Sequence, residues 1–330
     1  MQWQSQKQGS VALQRACPKC GLPLLTADRF CQGCGAFCPA ESGEDPYVGR
    51  CLGNRFVVEQ LLDEGGMGRV YRGRDRFSGN TVAIKVLKAS LLAREDIRRR
   101  FVIEGQCLFN VVHPRIVRFL AFWEDPSGEP FLVMEYLRGE TLGSYQFRQP
   151  KQRLNVAKAV DITCEALEGL YHLHSLPRPL VHRDIKPENI WMLEDGHVKL
   201  MDLGIARSWE GDALEGDRRA ILGTVEYMSP EQTRHGEVST ASDQYSMAVT
   251  LYEMCCGVVP FPRSKEDQRG RQVMDMHRKA KPPDPRTVTP ELPEYVSRAI
   301  LRALAKKPED RFASAFHFRR FLTSRGGSGW

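Results

Sequence analysis

Apolar and polar positions begin to alternate at Arg55-Phe56-Val57-Val58, and that period of two predicts a first strand. A glycine-rich turn from Glu64 to Gly68 interrupts it, Val70 and Tyr71 resume it, and Ser78-Gly79-Asn80 turns the chain again before a third apolar run over 82–86. Short apolar runs separated by such turns describe an antiparallel meander. Near Arg94 the period lengthens: Ile97, Phe101, Glu104 and Leu108 fall four, three and four apart, on one face of a helix. Two more short strands, over 116–122 and 131–135, complete a small sheet-rich unit. Beyond Gly139 the helical period dominates, over 154–174, 242–255 and 293–305. The pattern therefore predicts an α+β chain, with a small antiparallel β lobe before a larger helical one and no internal repeat.

Composition narrows the class without naming a chemistry. The chain has 330 residues, 42% apolar and 27% charged, enough for a sizeable core. Its net charge of +6 is mild, and Arg98-Arg99-Arg100 reads as a solvated helix face, which makes nucleic acid the less favoured partner. No apolar run approaches the ~18 residues of a membrane helix. The best stretch, 247–259, is broken by Glu253 and Gly257, and the Gln-rich start lacks an apolar signal core. A cytoplasmic protein with no membrane role is expected.

The ten cysteines are unevenly placed, with five of them between Cys17 and Cys38. Cys17-Pro18-Lys19-Cys20-Gly21 and Cys31-Gln32-Gly33-Cys34-Gly35 are two Cys-x-x-Cys turns ten residues apart. Each turn offers two thiolates to one ion, and four thiolates make the closed tetrahedral site of structural Zn2+. The segment resembles a zinc ribbon with Cys17, Cys20, Cys31 and Cys34 as ligands; Cys38 is spare. So short a segment cannot bury a core of its own, so metal must supply most of its folding energy. A redox role is the weaker alternative. By analogy with other ribbons, a protein partner is the expected one.

The most informative stretch is His182-Arg183-Asp184-Ile185-Lys186-Pro187-Glu188-Asn189, followed after one predicted hairpin by Asp202-Leu203-Gly204. It places an acid, a lysine, an amide and a second acid together, the groups phosphoryl transfer requires. With Gly65-Gly66-Met67-Gly68, His113-Pro114 and Tyr227-Met228-Ser229-Pro230-Glu231-Gln232, it resembles the eukaryotic-like Ser/Thr protein kinases, especially their bacterial branch. The resemblance spans 55–321. It implies the two-lobed protein-kinase fold preceded by a small zinc ribbon. The expected division is a tail over 1–16, a ribbon over 17–38, a linker over 39–54, a kinase domain over 55–323 (lobes 55–134 and 138–323) and a tail over 324–330.

Carried over residue by residue, the resemblance makes Asp184 the catalytic base and Lys186 the cation at the transferring phosphoryl group. Asn189 and Asp202 become ligands of Mg2+ (or Mn2+), and Thr224 a partner of Asp184 and Lys186. ATP would lie beneath Leu62, Gly65, Gly66, Gly68, Val70 and Ala83, against Met134 and the backbone of Glu135 and Leu137, with Trp191 as floor. Lys85, in Val82-Ala83-Ile84-Lys85, would reach the phosphates and pair with Glu104, a carboxylate in an inward-facing stripe that needs a cation. Asp63 stands where the first loop glycine is expected, and a carboxylate there is unwelcome beside a triphosphate unless it points outward. Trp191 is large for a floor and either stacks on adenine or crowds it.

Lys186 is the Ser/Thr-specific form of the loop. Glu231 is expected to pair with Arg311, and Asp243 to hold the catalytic-loop backbone. Arg183 normally meets a phosphorylated loop residue. Between Ser208 and Thr224 there is no Ser, Thr or Tyr, only Glu210, Asp212, Glu215 and Asp217 among the acids, which suggests constitutive neutralisation. The expected activity is transfer of the ATP γ-phosphate to protein Ser/Thr hydroxyls, autophosphorylation included, with protein substrates; a homodimer is left open. The alternatives are a pseudokinase or nucleotide-sensing scaffold, a small-molecule kinase of related fold, and a nucleic-acid-binding ribbon with the kinase attached.

Overall fold

Alternation along the N-terminal half becomes an antiparallel sheet whose two faces are both covered. The computed structural model describes residues 13–16, 23–25, 45–65, 68–92, 94–125, 128–202, 225–234, 237–267 and 270–327. A two-stranded hairpin, β1 (Leu13–Ala16) with β2 (Pro23–Leu25), comes first. The main sheet follows with β3 (Cys51–Leu52), β4 (Phe56–Glu64), β5 (Gly68–Asp75) and β6 (Thr81–Leu87). Helices α1 (Ala89–Leu92) and α2 (Glu95–Leu108) then cross before β7 (Phe119–Glu124) and β8 (Pro130–Glu135) return to it. Spatial order is β3-β4-β5-β6-β8-β7.

The alternation in β6 divides between two cores. Ala83 and Leu87 join Ile97, Phe101 and Leu108 of α2, whereas Val82, Ile84 and Val86 pack with Phe56, Val58, Tyr71, Phe131 and Val133 on the other face. That second face is closed by Tyr47 and Leu52, both buried. Residues 45–54, expected as linker, are thus in part a lid on the sheet. Arg50 pairs with Asp125 at 2.7 Å, and Tyr71 donates its hydroxyl to Asp45 at 3.1 Å. An apolar outer face on a three-turn meander has to be covered by something, and the preceding chain is nearest.

The second lobe is built on α4 (Val156–His174) and α5 (Thr240–Cys256). In the chain β9 (Gly139–Thr141) and α3 (Leu142–Phe147) precede α4, and β10 (Ile190–Leu193) and β11 (Val198–Leu200) come between α4 and α5. Helix α5 is buried nearly all round, which explains its weak amphipathic signal. Ser239 and Ser242 form a capping box at its start, and Gly257, at φ 75°, ends it. Helices α6 (Arg271–Lys279), α7 (Glu294–Ala303) and α8 (Ala315–Thr323) pack around this core. Each predicted long helix is present, shortened by two residues at 154–174 and by three at 293–305, and lengthened by three at 242–255.

Strands β9, β10 and β11 form a small sheet directly below the first lobe. Main-chain bonds from Val117 to the Leu200 carbonyl (2.9 Å) and from Leu200 to the Arg115 carbonyl (2.8 Å) tie it upward. Residues 116–118, predicted as strand, supply this bridge and an Arg118 carbonyl that accepts the Glu135 N–H at 2.9 Å; β7 begins at Phe119. Gly139 needs its missing side chain: at φ 130°, a Cβ there would lie 2.0 Å from the Met192 carbonyl oxygen. Among the described residues no helix is long and apolar enough to cross a membrane.

Candidate active site

Between the lobes runs a cleft of about 920 Å³. Leu62, Val70 and Ala83 line its roof, Met134, Glu135 and Leu137 its back, and Trp191 its floor. Gly68 lies where a Cβ would meet the Val86 carbonyl oxygen at 2.3 Å, so glycine is what lets β5 lie this close to β6. Gly65 donates to the Gly68 carbonyl at 2.9 Å and closes the turn. Gly66 lies outside the described residues. Glu135 is fixed by its side chain, which pairs with Lys199 and accepts the Arg118 N–H at 2.8 Å. Trp191 sits opposite Thr141 in the small sheet, half-buried, with its indole Nε1 buried and without a partner among the described residues.

Asp63 does not point out of the cleft. The pairing of β4 with β5 slips between Leu61 and Asp63, a bulge, so neighbouring residues that would otherwise alternate both line the cleft. Periodicity alone could not reveal this, because a bulge leaves no mark in the alternation.

The charged residues converge from three segments. Lys85, on the α2 side of β6, donates to Asp202 Oδ1 at 2.8 Å. Lys85 beside it, opposed by partial burial, holds the Asp202 carboxyl below its ordinary pKa. Glu104 lies on α2 in the stripe with buried Ile97, Phe101 and Leu108, but its side chain is outside what is described. In the loop before β10, Lys186 Nζ lies 3.1 Å from Asp184 Oδ2. Asn189 Nδ2 donates to the Asp184 carbonyl at 2.7 Å and to its Oδ2 at 2.9 Å. Both amide protons are thereby used, and the amide oxygen is turned away from Asp184.

Buried Asp243 at the start of α5 organises the loop. Its carboxylate accepts the N–H groups of His182 and Arg183, each at 2.8 Å, and bonds His174 Nε2 at 2.8 Å. Arg183 adopts φ 67°, an unfavourable conformation for a non-glycine residue, and these bonds hold it there. His182 Nε2 bonds the Met201 carbonyl at 2.9 Å, joining this loop to the residue before Asp202; burial keeps its pKa below the ordinary value. Glu231 and Arg311 form a two-pronged pair at 2.7 and 2.9 Å, with Ser242 donating to Glu231 at 2.6 Å.

Thr224, Leu203-Gly204 and the acids at 210–217 proposed to neutralise Arg183 lie outside the described residues, as do Cys17, Cys20, Cys31 and Cys34. The structure adds residues that carried no expected role. Gln232 Nε2 donates to the Arg183 carbonyl at 2.8 Å. Glu253 accepts the Tyr227 hydroxyl at 2.6 Å and, with Glu188, lines the outer cleft. A charge interrupting the apolar run 247–259 was the available signal for Glu253.

Burial pushes the Glu253 carboxyl up to about 7, with Glu188 and Glu226 adding repulsion. A carboxyl raised this way binds its proton more tightly folded than unfolded. Its favourable contribution is complete below the ordinary carboxylate range and is lost as pH rises through about 7. Glu253→Gln should remove that dependence, narrowing the stability difference between pH 5 and pH 8 by about 2 kcal/mol in urea titrations.

A small sheet roofing a cleft, with a lysine–acid cluster beneath it, defines a two-lobed fold of the kinase type. The model of the protein kinase domain matches residues 56–319, and the chain belongs to that family. Its relatives include the serine/threonine-protein kinase pkn3 of Myxococcus xanthus, 36% identical over 290 residues, which cover 84% of this chain and 51% of that protein. Pkn1 of the same organism is 35% identical over 289 residues, covering 86% and 40%. PrkC of Bacillus subtilis is 31% identical over 272 residues, covering 81% and 40%. The chain thus spans about half the length of these relatives, or less. The kinase domain of Mycobacterium tuberculosis PknI has the same fold, with a TM-score of 0.66 at 25% identity, covering 84% of this chain and 98% of that one.

Proposed function

We propose that the chain is a Ser/Thr protein kinase that transfers the ATP γ-phosphate to protein hydroxyls, itself included. The observation that carries this reading is the convergence in one cleft of Lys85 on Asp202 at 2.8 Å with Lys186 and Asn189 on Asp184 at 3.1 and 2.9 Å. Asp184 is the group placed to orient the attacking hydroxyl and take up its proton at the carboxylate. Lys186 offers positive charge to the phosphoryl group in transit, and Lys85 holds the phosphates in line with it. The Asp202 carboxylate and the Asn189 amide oxygen are hard donors that suit Mg2+, which typically takes one or two protein oxygens and completes its shell from phosphates and water. When bound, that ion neutralises charge on the phosphates. Leu62, Val70, Ala83, Met134 and Trp191 would enclose adenine, with the backbone of Glu135 and Leu137 at its edge. Thr224 would complete the loop beside Asp184 and Lys186.

Phosphoamino-acid analysis of labelled product tests the class: label in Ser and Thr supports it, and label confined to Tyr or to small molecules refutes it. Lys186, in the Ser/Thr form of the loop, supports the former.

A structural zinc site at Cys17, Cys20, Cys31 and Cys34, with a protein partner, belongs to the same proposal. The support is that hairpin β1–β2 brackets residues 17–22, which carry the first Cys-x-x-Cys turn. Reduced thiolates and ATP both point to the cytoplasm as the place of action. Purified protein should contain about one zinc per chain, falling to a small fraction in Cys20→Ser, while the main thermal transition of the two lobes stays within about 2 °C. Full-length protein that is zinc-free yet unchanged in protease resistance over 1–44 would contradict the site.

A further inference from the structure

Asp63 is the feature of this cleft that its expected ligand does not explain. The bulge in β4 turns Asp63 inward beside Leu62, and its Oδ1 accepts the Glu64 N–H at 2.8 Å, which holds the carboxylate along the strand near the glycine turn. Asp202 lines the same space and is joined to Lys85 at 2.8 Å. Two carboxylates, one of them bonded to an ammonium, therefore face the region where phosphates would lie. Lost hydration, together with the charge of Asp202, raises the Asp63 pKa, while the Glu64 N–H and Lys85 oppose the rise. Asp63 is exposed along the cleft, and Asp202 adds a second carboxyl group to the same space.

A fixed negative charge acts on a ligand in proportion to the ligand's own charge. Free ATP carries about four negative charges and its magnesium complex about two, so the repulsion roughly doubles when the cation is missing. Adenosine, uncharged, feels none. Resting on the nucleotide-site reading above, we propose that Asp63 is a specificity-determining residue that admits cation-loaded nucleotide and rejects the cation-free form.

Calorimetric titration of the full chain measures the effect directly with three ligands: adenosine, ATP with EDTA, and ATP with excess Mg2+. Asp63→Asn should tighten cation-free ATP about tenfold and the magnesium complex about threefold or less, leaving adenosine within about twofold. Asp63→Glu, which keeps the charge, should keep the wild-type discrimination. Equal tightening of all three ligands would overturn the proposal, because it would mark a steric effect. Weaker binding of the magnesium complex alone would also overturn it, because Asp63 would then be a cation ligand. Wild-type protein that binds none of the three would remove the nucleotide site itself, whereas normal binding with unaltered discrimination in Asp63→Asn removes only this inference.

Discussion

Asp184→Asn should fold normally and transfer phosphate at least about a thousandfold more slowly than the wild type. The substitution preserves volume and leaves an oxygen for the Asn189 amide, which now bonds Asp184 Oδ2 at 2.9 Å. It removes the carboxylate that could take up the hydroxyl proton and the charge that Lys186 faces at 3.1 Å. Initial rates of labelled-phosphate transfer, compared with nucleotide affinity and thermal midpoint, check the expectation. Affinity should change by less than about threefold, because the role proposed for Asp184 lies on the acceptor side of the reaction rather than at the nucleotide. A matched fall in affinity and rate would instead mean that the loop had collapsed.

The largest effect on stability is expected from Arg311→Met, at about 3–5 kcal/mol lost. Arg311 is 2% exposed and holds Glu231 with two prongs. It also donates to the carbonyls of Ala241 and Ala305, each at 2.9 Å. Removing it strands a largely buried carboxylate and three carbonyls, those of Ala241, Ala305 and Lys306. Burial works against ionisation of Glu231, but its bonds to Arg311 and Ser242 prevail and hold the pKa below the ordinary value. The pair's contribution is therefore present above the ordinary carboxylate range and lost as pH falls through the lowered folded value. Urea midpoints at pH 7 for Arg311→Met, Glu231→Gln and the double variant test this. The double variant should cost clearly less than the two single losses together, since each single change strands the other partner.

Fold and site were legible in the sequence to different depths, for reasons that particular residues make plain. The meander and long helices follow from periodicity, and α2 shows it best: Ile97, Phe101 and Leu108 are all buried, as their spacing requires. Helix α5 follows the helical period expected over 242–255, although its stripe is weak because it is covered on nearly every side. The Glu231–Arg311 and Asp243 contacts follow motif positions, since a buried charge has few partners it can accept. Residues 45–54 were misjudged because Tyr47 and Leu52 are too sparse to form a pattern, although the face they cover was predictable. The direction of Asp63 was left open by the sequence, because a one-residue bulge reverses the side a strand residue faces. Glu253 is marked in the sequence only as a charge within an apolar run; its meeting with Tyr227 depends on how α5 packs against a distant turn.

The central claim is that Lys85, Asp184, Lys186, Asn189 and Asp202 form one phosphoryl-transfer centre acting on protein hydroxyls. Incubation of the pure, folded full chain with γ-labelled ATP and Mg2+, alone and with a generic protein acceptor, tests it most directly. The account predicts label on protein Ser and Thr for the wild type, and none above background for Asp184→Ala or Lys85→Met. Wild-type protein that binds ATP tightly yet labels no protein, or variants that label as well as the wild type, would contradict it.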